Sequence, residues 1–208
     1  MREYTIIGIT GSTGAGKSSI TQYAKSIGCY IIDADLTARK ILEKGSVCLS
    51  CLSAAFGNDI VNSDGTLDRK LLAKKAFSSR ENTDKLNSIT HPFIFAETVK
   101  TIDSIRSIKK DAVIILDAPT LFESRIDVIC DYVTAVICPE SIRRERIIKR
   151  DNLSEADADI RLKAQKDDSF YTERSDFVLN GAEKPEKLHM QLNDIILKIT
   201  KHREVNEC

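Results

Sequence analysis

Gly11-Ser12-Thr13-Gly14-Ala15-Gly16-Lys17-Ser18 fits G-x-x-x-x-G-K-[ST], the phosphate-binding loop of nucleotide-hydrolysing and phosphoryl-transferring enzymes. The flanks agree with that reading. Tyr4 to Thr10 is a short, mostly apolar, β-branched run, as a buried parallel strand requires. Ser18 to Ile27 lacks Gly and Pro, places Ile20, Ala24 and Ile27 at helical spacing, and stops at Gly28. The three loop glycines let successive N–H groups turn inward as an anion nest. The following helix adds its unpaired N–H groups and positive end. Lys17 supplies a point charge for the β- and γ-phosphates, and Ser18 a hydroxyl for Mg²⁺.

The 208 residues suffice for one α/β domain with insertions or for two small ones. Hydrophobic residues at 42% and charged residues at 30% make an ordinary globular mixture. Lys plus Arg and Asp plus Glu each total 31, so net charge gives no argument for nucleic acid or an anionic membrane as partner. No stretch reaches the length of a membrane span. The first strand begins within a few residues of Met1, so no signal peptide is expected. Six scattered cysteines beside a nucleotide loop suggest reduced thiols in the cytoplasm. Cys48-Leu-Ser-Cys51 is a lone C-x-x-C, read as two ordinary thiols on one helix rather than a zinc or redox site.

Along the chain, Cys29 to Ile32 reads as a second strand running into Asp33-Ala34-Asp35, with a helix from Leu36 to Glu43. Strand, loop, helix and strand form a right-handed βαβ unit. From Ser46 to about Lys110 the patterns are helical. Glu81 to Thr90 and Phe93 to Ile108 are expected as two helices, divided or re-started at His91-Pro92. Ala112 to Leu116 is the clearest strand; Tyr132 to Cys138 and Asp176 to Leu179 follow as strands, with helices at Ser141 to Arg150, Ser154 to Lys166 and from Leu188 onward. The predicted fold is α/β: a P-loop NTPase-type open parallel sheet of about five strands flanked by helices. Residues 1–44, 109–139 and 175–208 form the nucleotide-binding core, 45–108 a helical substrate-binding insertion and 140–174 a helical lid.

Asp33 and Asp35 follow the second strand, at the sheet edge that carries the loop. If the chain stays extended, their spacing of two puts both carboxylates on one side. Such a carboxylate can orient or deprotonate an attacking hydroxyl, although a turn or a helix cap uses Asp equally well. Arg39 lies one helical turn beyond Asp35 and can face it or an anionic substrate. Asp117 ends an apolar strand, where an acid serves the Mg²⁺ shell or caps the turn before Pro119; Glu123 is a weaker candidate. Arg146 and Arg150 share a helix face and read as a lid over ATP, which excludes water. Arg143 and Arg144 read as a solvated basic surface. His91 is structural or contacts substrate.

These residues together resemble the dephospho-CoA kinase family. The resemblance rests on Gly8-Ile9-Thr10-Gly11 and on Ile32-Asp33-Ala34-Asp35 with Ala38-Arg39. Phe56-Gly57, Asp64-Gly65-Thr66-Leu67-Asp68-Arg69 and Leu86-Asn87-Ser88-Ile89-Thr90-His91-Pro92 carry it through the middle of the chain. Pro119-Thr120-Leu121-Phe122-Glu123, Arg146 to Asp151 and Arg161-Leu-Lys-Ala-Gln165 extend it. The resemblance implies ATP- and Mg²⁺-dependent transfer of the γ-phosphoryl group to the ribose 3′-hydroxyl of dephospho-CoA. Lys17, Asp35 and Arg146 would be catalytic, with Asp35 the base. ATP would be held by Gly11, Ser12, Thr13, Gly14, Ala15, Gly16, Lys17, Ser18, Ser19, Arg146 and Arg150. Thr10, Asp33, Asp35, Arg39, His91, Pro119 and Leu121 would meet the substrate, and Ser18 and Asp117 the metal. The implied partner is the small molecule alone, with a monomer or weak homo-oligomer in the cytoplasm. Two departures stand out: Ser12 replaces a usual second Gly, and Leu179-Asn180-Gly181-Ala182 replaces a usual Asp-Asn with a later Gly.

Two other readings compete. Another small-molecule kinase of this fold, such as a nucleoside or nucleotide kinase, would differ in its acceptor. A nucleotide-dependent switch would turn over ATP slowly without transfer, but no water-positioning glutamine is evident.

Overall fold

Thr5–Thr10 (β1) is β-branched and apolar and is buried over its whole length. In this computed structural model, which describes residues 4–206 with side chains to residue 200, β1 is the central strand of the sheet. The other strands are Tyr30–Asp33 (β2), Val113–Asp117 (β3), Tyr132–Ile137 (β4) and Phe177–Asn180 (β5), in the order β2-β3-β1-β4-β5. β1 runs parallel to β3, with Ile9 opposite Asp117, and parallel to β4, with Thr10 opposite Ala135. β4 and β5 are parallel too. The carboxyl ends of these strands therefore fall on one edge, directly where Gly11 begins the phosphate loop. Residues 1–3 and 207–208, the ends of the expected core, lie outside the described residues.

The chain divides into two compact units, one running to residue 31 and resuming at 110, the other spanning 32–109. In the first, Lys17–Ser26 (α1) and Pro185–Asn206 (α9) pack together over the sheet. Ile20, Ala24, Leu188, Leu192 and Ile199 meet Ile7, Ile9, Ile115 and Val136 there, which is the apolar stripe expected of both helices. Glu140–Asp151 (α6), Glu155–Lys163 (α7) and Asp168–Thr172 (α8) complete this unit, with Ile147, Ala158 and Leu162 forming a small core of their own. Ser154 caps α7 by accepting from the Asp157 N–H at 3.1 Å, as its position suggests.

The second unit holds Ala34–Lys40 (α2), Val47–Phe56 (α3), Arg69–Ala76 (α4) and Arg80–Ile108 (α5) around Ile41, Cys48, Leu52, Ile60, Leu72 and Ala76. Its helices start at side-chain caps: Ser46 for α3, Asp68 for α4 and Ser79 for α5. The break expected at His91-Pro92 does not occur. α5 is one helix of 29 residues with Pro92 inside it. Pro92 forfeits one backbone hydrogen bond, but α2, α3 and α4 all pack on α5 and hold both halves in line. Burial of Cys48 pushes its thiol up to about 11, which disfavours the Cys48 thiolate that metal or redox chemistry would use.

Candidate active site

The phosphate loop is fixed from behind. Gly11 has φ +130°, and a Cβ on it would stand 2.1 Å from the Val136 carbonyl oxygen. Gly14, at φ +78°, sits against the backbone of Arg143, whose carbonyl oxygen would lie 2.8 Å from an added Cβ. These two contacts explain the glycines sterically: the loop packs onto β4 and α6 with no room for side chains. Gly16 stands at the N-cap of α1 and offers no side-chain cap, so no capping side chain occupies the first N–H groups of the helix. The Thr13 N–H is met by the Gln165 side-chain oxygen at 3.0 Å.

Lys17 Nζ donates to the carbonyl oxygens of Gly11 and, at 3.1 Å, Ser12. One turn along, the Thr21 hydroxyl bonds Asp117 Oδ2 at 2.9 Å, which aims the carboxylate from the end of β3 across the start of α1. Ser18 is exposed on the first turn of α1. Ser19 Oγ lies 3.3 Å from Nε2 of His189, and that ring stacks on Tyr23 at 4.2 Å. Thr10 is buried and donates to the Pro119 carbonyl at 3.3 Å, joining two residues expected near substrate. Leu121 is fully buried over Gly8, so its side chain packs the core rather than lining a surface.

The α6 arginines separate into different jobs. Arg146 Nη1 donates to Gly181 O at 2.9 Å and Gly14 O at 3.2 Å, and reaches Ala15 O at 3.5 Å. It thus pins loop carbonyls that point away from the nest. Arg150 bonds Asp151 through Nε and Nη2, each at 2.8 Å, and reaches Thr13 Oγ1 at 3.5 Å. The guanidinium of Arg150, joined by Arg161, holds the Asp151 carboxyl below the usual carboxylate range. The solvated reading is corrected for Arg143; Arg144 stays partly exposed and is ion-paired. Arg144 is bound to Asp159 and Glu155 of α7, and Arg143 is only 7% exposed. Arg143 shares a helix face with Ile147, four residues on, and that face is the buried one.

Within the second unit, Asp33 ends β2 and caps α2: its Oδ1 accepts from the Leu36 N–H at 2.9 Å. The chain does not stay extended, so the expectation that Asp33 and Asp35 share a side fails. Asp35 stands in the first turn of α2, exposed, and Arg39 is exposed in its last turn. His91 is half-buried in α5, and burial pushes its imidazole pKa down, favouring the neutral ring. Lys40 pairs with Glu97 and ties α2 to α5.

Residue-type reasoning missed four parts of this arrangement: Gln165 on the loop N–H, Thr21 on Asp117, Gly181 against the loop, and buried Arg143. Only the last had a local signal, its i,i+4 relation to Ile147. Asn180 takes up its own turn, with Oδ1 accepting from the Ala182 N–H at 3.0 Å.

The family model described as dephospho-CoA kinase matches residues 5–186. A dephospho-CoA kinase of Idiomarina loihiensis is 33% identical over 190 residues, 91% of this chain and 92% of that protein. Among solved structures, TT1252 from Thermus thermophilus superposes with a TM-score of 0.78 at 27% identity, over 93% of this chain and 97% of that one. A dephospho-CoA kinase from Campylobacter jejuni does so with a TM-score of 0.70 at 26% identity, over 96% and 99%.

Proposed function

Because the chain belongs to the dephospho-CoA kinase family, we propose that it transfers the γ-phosphoryl group of ATP to the ribose 3′-hydroxyl of dephospho-CoA with its own loop, lid and helical unit. It phosphorylates dephospho-CoA to coenzyme A. The observation that carries this is the family match over nearly the whole chain, with G-x-x-x-x-G-K-S intact within it.

In this reading Gly11 to Ser19 cradle the triphosphate, and Lys17 offsets charge on the β- and γ-oxygens. Support comes from the uncapped start of α1 and from carbonyls turned back onto Arg146. Ser18 and Asp117 would hold Mg²⁺. An exposed hydroxyl and a carboxylate fixed by Thr21 are the hard oxygen donors that ion takes, few enough to leave it waters and phosphate oxygens. Bound there, the ion neutralises phosphate charge. Asp35 orients the acceptor hydroxyl and takes its proton, and Asp33 supports it by starting α2. Thr10, Arg39, His91 and Pro119 contribute to the acceptor site. Residues 45–108 act as the substrate-binding insertion, and 140–174 as the lid, in which Arg146 and Arg150 close over ATP and exclude water. The enzyme works in the cytoplasm as a monomer or weak homo-oligomer. No described helix is long and apolar enough to cross a membrane.

The direct test is ADP release with ATP, Mg²⁺ and dephospho-CoA, followed by mass analysis. A product heavier by one phosphate, with none formed when Mg²⁺ is withheld, is expected. Transfer to a nucleoside but not to dephospho-CoA would overturn the acceptor. Asp35→Asn should lower kcat by about 10²–10⁴-fold with little change in KM, as for loss of a general base. Asp33→Asn should do far less, because Asn caps a helix about as well as Asp. Equal and small effects on kcat would move the base elsewhere.

A further inference from the structure

Arg143 is the cation of α6 that the reaction as described leaves unused. Its backbone is pressed on Gly14, and its Nε donates to the Cys138 carbonyl at 2.9 Å. Its Nη1 is fully buried and meets no acceptor among the described residues. Nor does it belong to the ion pairs of its helix, which engage Arg144 and Arg150. A buried guanidinium N–H without an acceptor is unfavourable, so the fold keeps it there against a penalty.

The backbone of Arg143 lies against Gly14 of the loop, and the Arg143 charge and the Ser12 hydroxyl of the loop act on the same group, the Tyr171 phenol. Ser12 is 1% exposed, and its Oγ is likewise without a hydrogen bond. Tyr171 of α8, also buried, turns its hydroxyl towards Ser12 without a well-formed bond. Burial pushes that phenol up first, with the Glu123 and Asp168 charges adding to the rise; Ser12 and Arg143 counter it. Asp168 Oδ1 is a third buried atom here with no partner. Half of the six such atoms among the described residues thus belong to this one neighbourhood. Of these three atoms the Ser12 hydroxyl and the Arg143 N–H are donors and Asp168 Oδ1 is an acceptor; the guanidinium, offset in part by the Asp168 and Glu123 charges, is the term that favours an anion on the open face of the loop.

We propose that Arg143 is a positioning residue of the nucleotide site, acting through Ser12 and the loop so that affinity rises with the number of phosphates on the nucleotide. The ligand class is a nucleoside polyphosphate, and the inference rests on the reading that this loop holds ATP. Each added phosphate brings more negative charge into the field of a guanidinium that little water screens. A purely structural arginine would hold the loop equally for every nucleotide.

The test is displacement of a fluorescent ATP analogue from the intact protein by ATP and by AMP, at fixed Mg²⁺ and without acceptor. Arg143→Gln should weaken ATP by about tenfold, equivalent to 1.4 kcal/mol, and AMP by less than about twofold. KM for ATP should follow, with kcat nearly unchanged. Arg143→Lys, which keeps the charge, should recover most of the ATP preference. Should Arg143→Gln not fold, Ser12→Ala provides the second arm: it should weaken ATP more than AMP by about threefold. Equal losses for ATP and AMP, an Arg143→Lys no better than Arg143→Gln, or Ser12→Ala with an unchanged ATP-to-AMP ratio would overturn the proposal. Wild-type protein that binds the analogue but does not phosphorylate dephospho-CoA would sink the acceptor reading alone. Wild type that binds no nucleotide would sink both.

Discussion

Lys17→Ala should reduce kcat for phosphoryl transfer by about a thousandfold, because one preorganised donor at the developing charge is commonly worth 10²–10³ and here it is also a full cation. Nζ is already oriented in the folded protein, held on the carbonyls of Gly11 and Ser12. It therefore needs little reorganisation to serve the phosphates. The same contacts tie the loop to α1, so part of the loss will appear in KM. The fold should survive, since the side chain takes no part in the apolar core. Steady-state kinetics beside a thermal melt decides it. A folded variant with near-normal turnover would remove the loop lysine from the chemistry.

Gly181→Ala should have the second-largest effect, and for a steric reason. A Cβ there would stand 1.8 Å from the Ala15 carbonyl oxygen and 3.2 Å from that of Ile137. Both obstacles are backbone, so no side chain can swing aside. Either the turn after β5 or the phosphate loop must move. Movement would also stretch the 2.9 Å bond from Arg146 to Gly181 O. Overpacking of this kind costs about 1–3 kcal/mol or more. A lower melting temperature is expected, together with an ATP KM raised by about tenfold, since the loop's aim is what suffers. Wild-type melting and wild-type KM in the same variant would show that the turn and the loop are not in this contact.

Much of this arrangement could be read from residues in order. The loop and β1 were legible because their motif encodes a local backbone shape, and Ser154 because a cap acts across three residues. Strand ends shifted by a residue or so: β3 closes at Asp117 rather than Leu116. The misses share a cause. Pro92 looks like a helix break until the packing of three other helices on α5 is known. Asp33 and Asp35 looked coplanar until β2 passed straight into α2. Arg143 looked like surface because charge outweighs periodicity in a residue-by-residue reading. Gly181 and Gln165 touch the loop across more than 150 residues of chain, and no short window carries that information.

The central place of β1 has a consequence for how the protein is made. The strand leaves the ribosome well before its neighbours β3 and β4, which begin at Val113 and Tyr132. At about 5–20 residues per second, β1 and its loop wait roughly 5–20 s for the first of those partners. In that interval residues 32–109, with a core of their own, are the part able to collapse. The phosphate loop is thus made about a hundred residues ahead of the strands beside it and assembled late, and a nascent chain stalled before β3 would carry the whole phosphate-loop motif without the sheet that shapes it.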